Sequence, residues 1–433
     1  MKRSIPLAQT QDGSIREPAR DAPIYADVDV LVVGGGPAGI AAAVAAARAG
    51  MSTLLVERYG CLGGIWTAGL LNPYFDGSNK GGIASEIIAR LDRHGGSGSV
   101  QEWLPDRFVA TVFDYEAMKY VLDCMAQEAG VGLLLYTQAV ATVMDGERVS
   151  GVIVENKSGR SAILARVVID CTGDGDVAYH AGCEYELGRT SDGLMQPMTL
   201  QFTVRGFDWS RDPYAIVAKF NRPEDVADIP FDSFAAVPVP GDSDATAIMW
   251  THIHGVDGTN ADDLTRAVVE GRRQAQSAMR LFGAARDGLG AGQLLETAMQ
   301  VGVRETRRIR GEYYLELDDL LRGRAFPDGV CRVTFNVDIH TPDGEELTAT
   351  PVEPYEIPYR CLIPRGVEHL LVAGRCISGS HEAHGSYRVT GNCVAMGEAA
   401  GLAAAEAARA HTDVRDVDGA VVRDLMKQHG ANL

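Results

Sequence analysis

The chain has 433 residues, 46% of them apolar and 23% charged, roughly two to three typical domains of ordinary globular composition, which excludes wholesale disorder. Lys and Arg number 40 against 58 Asp and Glu, and the net charge of −18 argues against a surface built to attract nucleic acid or anionic lipid.

In chain order, residues 1–26 are polar with scattered proline and charge, and read as an N-terminal arm. Asp27 to Val33 is a β-branched run of the kind that forms a buried parallel strand. The glycine turn Gly34-Gly-Gly-Pro-Ala-Gly39 follows at once, then a helix from Ala41 to Ala49 stopped by Gly50. Ser52 to Glu57 supplies a second strand and completes a βαβ unit. The longest apolar stretches, Gly39 to Ala47 and Ala399 to Ala408, are Ala-rich and interrupted by charge within the length a bilayer requires, so no membrane span is expected. The opening Met-Lys-Arg lacks the apolar run of a secretory signal, and the expected location is the cytoplasm.

Apolar residues at Met118, Val121, Leu122 and Met125 predict a helix over 114–129 with Gly130 as its stop. Leu133 to Tyr136, Val149 to Glu155 and Ser161 to Asp170 read as a three-stranded β-meander, with turns at Asp145-Gly146 and Ser158-Gly159. Over 196–350 the pattern changes: Thr199 to Val204 alternates, Ala247 to His254 is a strand, and Ala261 to Leu281 is a long helix. We read this as an inserted, mostly antiparallel substrate domain. From 351 the text returns to glycine and alanine, so the nucleotide domain comprises 27–195 and 351–433. Eight cysteines never fall in a Cys-x-x-Cys pair, which removes the usual spacing for zinc or iron–sulfur ligation. Metal ligands are not expected.

Gly34-x-Gly36-x-x-Gly39 carries most weight. Between a strand and a helix, such glycines let the backbone turn tightly, approach a pyrophosphate and pack helix on sheet, and the helix N-terminus offers free N–H groups to the anion. Glu57, at the end of the second strand, is placed to accept from both ribose hydroxyls and to repel a 2′-phosphate. The alternative is an ordinary strand–helix junction, and the spacing alone leaves NAD and FAD both open. Gly288-x-Gly290-x-Gly292 has the wrong spacing for a second fingerprint.

Three further segments make the pattern specific: Glu57-Arg-Tyr-Gly-Cys-Leu-Gly-Gly-Ile-Trp-Thr-Ala-Gly69, Val168-Ile-Asp-Cys-Thr-Gly-Asp-Gly-Asp176, and Leu370-Leu-Val-Ala-Gly-Arg-Cys-Ile-Ser378. With the text around Val301 to Gly311, Ile357 to Pro364 and His381 to Val389, they resemble the FAD-dependent oxidoreductase family of glutathione-reductase-type fold, in the branch with Gly-Gly-x-x-Thr-x-Gly and Ala-Gly-Arg-Cys-Ile-Ser motifs. The resemblance runs from about Arg16 nearly to the end. It implies an α/β fold with a three-layer Rossmann-type FAD-binding domain, a β-meander and the inserted substrate domain.

The resemblance also implies residue roles. Gly34, Gly36, Pro37, Ala38 and Gly39 hold the pyrophosphate, Glu57 and Arg58 flank the adenosine ribose, and the backbone of Val140 meets the adenine edge. Gly63, Gly64 and Thr67 lie along the flavin. Thr172, Gly173 and Asp174 cover the cofactor, Gly374 and Arg375 meet the ribityl and phosphate region, and a helix from Gly391-Asn392 aims its positive end at the flavin. Many flavoproteins carry Gly-Asp where this chain has Gly374-Arg375, so which group replaces that Asp is open, and the aromatic-hydroxylase reading loses ground.

His381 and His384 fall in the segment expected to pass the flavin ring, where a dehydrogenase needs a base. The alternative is a structural hydrogen-bonding role. Arg388 suits a substrate carboxylate or flavin anion, or a salt bridge to Glu382 or Glu398. Arg304, Arg307, Arg308 and Arg310 form a basic cluster, with Arg304 and Arg308 on one helix face; a solvated ion-pair network is the default reading, an anionic substrate the other. His252 and His254, two apart in a strand, point to one side. Cys61 reads as packing.

The expected reaction is hydride transfer between a small organic substrate, an alcohol carbon first, and N5 of FAD, with a histidine as acid/base and a separate, unidentified electron acceptor. The rivals are a flavin-dependent monooxygenase and an FAD-bearing electron-transfer subunit. No nucleic-acid or membrane partner is expected, and homo-oligomerisation is left open.

Overall fold

The computed structural model describes residues 14, 15, 17, 19–99, 110–207, 234–284, 292–343 and 347–433. Most of the N-terminal arm and two glycines of the Gly288-x-Gly290-x-Gly292 spacing lie outside the described residues.

Strand β1 (Ile24–Val33) ends in four fully enclosed residues and leads through the glycine turn into α1 (Pro37–Arg48). Pro37 sits at the first helical turn, where its missing N–H costs nothing and its fixed φ suits the helix. Strand β2 (Thr53–Val56) lies parallel to β1, Val33 opposite Val56. Two helices follow, α2 (Gly82–Arg93) and α3 (Tyr115–Ala129). In α3 Gly130 closes the helix at φ 77°, as the spacing predicts, and the Asp114 carboxylate caps its start by accepting from the Ala117 N–H.

Strand β3 (Gly132–Leu134) pairs parallel to β2. The meander proper is β4 (Gln138–Asp145), β5 (Arg148–Asn156) and β6 (Gly159–Asp170). The run from Leu133 to Tyr136 is therefore not the first meander strand: its apolar residues belong to the outer parallel strand, and Tyr136, at φ 52°, turns the chain toward β4. Strand β6 serves several neighbours: its first half pairs antiparallel with β5 on one side, and from Ala162 to Asp170 it runs parallel to β1 on the other.

The four-stranded sheet of β7 (Phe202–Arg205), β8 (Ala235–Val239), β9 (Asp242–Met249) and β10 (Gln293–Thr297) is antiparallel throughout, in the order β8-β9-β7-β10. Helix α4 (Ala261–Ala284) contributes Ala275, Ala278 and Phe282 to a small core with Phe202, Ile248 and Trp250. The segment from Arg304 to Arg308 is not helical, which corrects the shared-face expectation: Arg304 to Arg307 form no regular element, and Arg308–Ile309 pairs as a short strand with Tyr185–Glu186. Further on, β11 (Val337–His340) forms a hairpin with Leu347–Thr350.

Strand β12 (Leu370–Val372) returns to the main sheet, parallel to the second half of β6. The main sheet thus has seven strands, in the order β3-β2-β1-β6-β5-β4 with β12 also on β6. The chain then forms α5 (His381–Tyr387) and α6 (Thr390–Ala410). The Ser380 hydroxyl caps the short helix α5, accepting from the Ala383 N–H. Helix α6 lies directly on α1: Cβ atoms added at Gly397 and Gly401 would meet the carbonyls of Ala38 and Ala42 at 2.0 and 2.3 Å. Small residues on both helices permit that approach and place the start of α6 beside the glycine turn. The fold is the expected α/β arrangement. No helix of the described residues is long and apolar enough to cross a membrane.

Candidate functional site

A groove with about 940 Å³ of unoccupied space, part of it open to solvent, runs along the carboxyl ends of the parallel strands, where ligands bind in open α/β sheets. It is lined by Gly34, Gly36, Pro37 and Ala38 of the glycine turn, Glu57, Arg58 and Tyr59 after β2, and Gly64 and Ile65. Thr172 and Gly173 after β6, Gly374 and Arg375 after β12, and Gln300, Arg388, Thr390 and Cys393 complete the lining.

The glycines of the turn have distinct physical reasons. A Cβ on Gly34, at φ 99°, would lie 2.4 Å from the Cys171 carbonyl, and one on Gly39 would lie 1.7 Å from the Gly34 carbonyl. Gly36 has nothing within 4 Å of such an atom. Gly34 and Gly39 therefore hold strand against helix, while Gly36 leaves the groove lining bare. Glu57 is buried, its Oε2 accepting the Gly35 N–H at 2.6 Å and its Oε1 the Tyr59 N–H at 2.8 Å. These bonds aim the carboxylate across the groove.

At the end of β6 the buried Asp170 accepts from the Thr172 N–H and hydroxyl at 3.0 and 2.7 Å and from the Ala178 N–H at 2.9 Å, which fixes the Thr172-Gly173 turn. Burial outweighs these bonds and raises its carboxyl to about 6. Asp174 does not line the groove: it accepts from Thr306 at 2.8 Å and pairs with Arg375 at 2.9 Å. The acid beside Gly374-Arg375 thus comes from a different strand. Arg375 Nη1, by contrast, is enclosed without a partner among the described residues.

Other expected residues stand behind the surface. Val140 does not line the groove, which reaches only Thr137, Gln138 and Ala139, because the β4–β5 register shifts between Ala139 and Ala141 and makes Val140 a bulge residue. Gly63 and Thr67 shape the turn beneath Gly64, the Thr67 hydroxyl donating to the Leu62 carbonyl at 2.5 Å. Gly391 packs on the Asp76 carbonyl and Asn392 is fully buried. Cys61 is not a lining residue, whereas Cys171 and Cys393 are.

Of the arginine cluster only Arg310, partly exposed and paired with Glu186 at 3.0 Å, fits a solvated ion pair. Arg308 is 1% exposed, its guanidinium paired with Glu305 and donating to the Gly379 and Gly188 carbonyls at 3.0 and 2.9 Å. Arg307 reaches Asp176 at 2.9 Å and lies over the Tyr179 ring. Arg304 donates to the Pro197 carbonyl and the Thr199 hydroxyl, both at 2.7 Å. It does not line the groove, and neither do His381 and His384.

The two histidines differ. His381 Nδ1 lies 2.9 Å from Glu305 Oε1, and Nε2 has no hydrogen-bond partner among the described residues. His384 is fully enclosed, with both ring nitrogens unpartnered among the described residues. Burial, followed by the charges of Arg308, Arg388 and Arg375, drives its proton affinity well below the ordinary histidine value, so it is neutral.

Asp338 and His340 were not read from sequence. Arg388 donates from Nη2 to the Asp338 carbonyl and Oδ2, both at 3.0 Å. Burial pushes the Asp338 carboxyl up, but the His340 imidazole and the Arg388 charge outweigh it and bring it to about 2. Burial and the Arg304 charge lower His340 to about 4. His340 Nδ1 meets His252 Nε2 at 3.0 Å, and His252 Nδ1 meets the Trp250 carbonyl at 3.0 Å. A carbonyl only accepts, so His252 carries its proton on Nδ1 and accepts from His340. Gln300, Gln196, Asp338 and His340 carry no local motif, and only the fold brings them here.

A glycine turn between parallel strand and helix, a buried acid closing the second strand and two further strand ends over one groove define a dinucleotide-binding enzyme of Rossmann type. The chain matches the model of the family described as FAD dependent oxidoreductase over residues 29–426 and belongs to that family. It is a flavoenzyme, and its cofactor is FAD. Digeranylgeranylglycerophospholipid reductase 2 of Methanopyrus kandleri is 34% identical over 202 residues, 43% of this chain and 47% of that protein. Thiamine thiazole synthase of Methanococcus aeolicus is 33% identical over 162 residues, 35% of this chain and 57% of that one. These matches span about half the length of the curated relatives. Among solved structures, CabE, an aromatic hydroxylase from angucycline biosynthesis, superposes with a TM-score of 0.50 at 15% identity, covering 93% of this chain and 65% of that one. That likeness concerns the fold alone.

The groove fits FAD on its own evidence. Among the described residues, Arg375 Nη1, Arg388 Nε and Thr390 Oγ1 are enclosed polar atoms without partners in residues that line it, and a Cβ on Gly36 would enter open space. A dinucleotide with phosphate and ring acceptors satisfies all of these demands.

Proposed function

We propose that the protein oxidises a carbinol carbon of a small organic substrate, with His381 as the base. FAD, when bound, supplies the hydride acceptor at its N5. Gly34, Gly36 and the start of α1 hold its pyrophosphate, Glu57 its ribose, and Arg375 with Thr172 and Gly173 its middle. On the Gly63-Gly64 turn and the Ala373-Gly374-Arg375 segment we place the chain in the glutathione-reductase-type branch.

The observation that carries the reading is the buried Arg308–Glu305–His381 arrangement. Glu305 accepts from His381 Nδ1, which leaves Nε2 as the basic nitrogen and steadies the imidazolium that forms when it takes the hydroxyl proton. His384, neutral and sealed, is a less suitable base. The electron acceptor is a separate molecule.

The reverse direction, reduction of a C=C bond, is the second reading, supported by the reductase from Methanopyrus kandleri. The fold of the CabE hydroxylase keeps a monooxygenase in the comparison. The test is anaerobic bleaching of the yellow protein by sugars, polyols, hydroxy acids and other alcohols, without a protein partner. His381→Ala should slow bleaching by about 10²–10⁴-fold while FAD content stays at the parent level. Parent-rate bleaching by that variant removes His381 as the base. Bleaching only by NAD(P)H, with a hydroxylated product under oxygen, replaces the reading by the monooxygenase. Reduction only by a partner protein replaces it by the electron-transfer subunit.

A further inference from the structure

Among the described residues, Gln300 is the only one of the inserted domain, 196–350, that lines the cofactor groove. Its backbone is firmly held. The flanking Ala298 and Gly302 N–H groups donate to the Gln201 and Thr199 carbonyls at 2.8 and 2.7 Å, which ties the segment after β10 to the one before β7. The Gln300 N–H donates instead to the Ala68 carbonyl at 2.9 Å, and a Cβ on Gly302 would meet Ile65 at 3.3 Å. Gln300 is thus fixed where the inserted domain meets the turn that carries Gly63 and Gly64.

The side chain has no such anchor. It is half-buried in the groove lining, and its Oε1 is enclosed without a partner among the described residues. Native proteins rarely leave such an atom unsatisfied unless a bound molecule completes the group. A primary amide carries one acceptor and two donors, and a half-turn about its last bond exchanges them, so either can be offered to the groove.

Position selects the part of FAD that Gln300 meets. The Thr137 and Tyr136 N–H groups donate to the Glu57 and Tyr59 carbonyls at 2.9 and 3.2 Å, so the lining residues 57–59 and 137–139 lie together around the carboxylate assigned to the ribose. Gly64 lies over Gly36, where a Cβ on it would meet the Gly36 Cα at 3.1 Å, at the place assigned to the pyrophosphate. Gln300 belongs to neither set, since its neighbours are Ile65 and Ala68. What remains of the dinucleotide is the flavin half, and one edge of an isoalloxazine carries an N3–H donor between two carbonyl acceptors, the complement of a carboxamide.

We propose that Gln300 is the inserted domain's contact with the isoalloxazine ring, its carboxamide pairing with that donor and acceptor edge. The assignment rests on the placement of FAD given above and holds whichever substrate the flavin oxidises.

Stripped protein titrated calorimetrically with FAD and with ADP, which has the adenosine and pyrophosphate but no flavin, tests it. Gln300→Leu should raise the FAD Kd by about five- to tenfold, the worth of one or two hydrogen bonds, and leave the ADP Kd at the parent value. Retained ADP binding also establishes that the variant is folded. Gln300→Glu brings a negative charge beside the ring and should lower the midpoint potential of the bound flavin, because reduction adds negative charge there. An unchanged FAD Kd in Gln300→Leu, an equal loss of ADP and FAD binding, or an unchanged potential in FAD-loaded Gln300→Glu each overturns the contact. Glu57→Gln separates the two assignments, since it should weaken ADP and FAD alike. If it does so while Gln300→Leu changes neither, the contact alone fails; if it weakens neither, the placement of the adenosine fails and the contact with it.

Discussion

Gly36 and Gly39 stand three residues apart and answer to different physics. A methyl group on Gly39 would sit inside contact distance of the Gly34 carbonyl, so Gly39→Ala must push α1 off the sheet. A methyl group on Gly36 meets nothing, and its backbone, at φ −70° and ψ −173°, suits any residue. We therefore expect Gly39→Ala to cost about 1–3 kcal/mol of apoprotein stability, as overpacking does. Gly36→Ala should leave apoprotein stability within about 0.5 kcal/mol yet purify with less FAD. Thermal melts of stripped protein and the flavin-to-protein absorbance ratio check the pair; equal loss of apoprotein stability in both would contradict it. The histidines carry the same lesson. His381 and His384 are equivalent in the sequence, and only their surroundings, a carboxylate for one and a sealed interior for the other, divide their chemistry.

At the scale of elements, Glu398 ties α6 to the start of α2, accepting the Ile83 N–H at 3.0 Å. Burial, only partly offset by that bond and by Arg48, raises its carboxyl to about 7. The folded value lies above the unfolded one, so the stabilising form is the protonated one. Its contribution is complete below an unfolded value of 4.5 and is lost as pH rises through about 7. Glu398→Gln stays neutral at every pH and keeps an acceptor for Ile83. Its Tm relative to the parent should therefore rise between pH 5.5 and pH 8, by the equivalent of at most about 3 kcal/mol. A constant difference across that range would show that Glu398 does not titrate there. Elements with strong local signals, such as α1, β2 and the capped α3, are legible in the sequence. Arg304 to Arg308 misleads because charges at helical spacing look solvated, whereas here the backbone is not helical and Arg308 finds its partners on distant segments.

Over the whole molecule, one groove joins stretches that the chain keeps far apart: the turn after β1, the end of β6 and the segment after β12 all line it. Binding that spans them stabilises the folded state by mass action, about 2.7 kcal/mol at a free FAD concentration a hundred times Kd. Stripping the flavin should lower Tm, and adding FAD to stripped protein should restore it in proportion to the logarithm of its concentration. An unchanged Tm in protein shown by absorbance to have rebound FAD would contradict a groove shared by these stretches. The sequence by itself determined the βαβ unit, the pyrophosphate turn and the acid after the second strand, because glycine geometry, strand patterning and helix caps act over a few neighbouring residues. Tertiary structure alone decided which charges are buried, which histidine has a carboxylate behind it, and that Glu305 and Asp338 hold the two ends of one short helix. Desolvation and pairing depend on which distant side chains meet, and no local pattern records that.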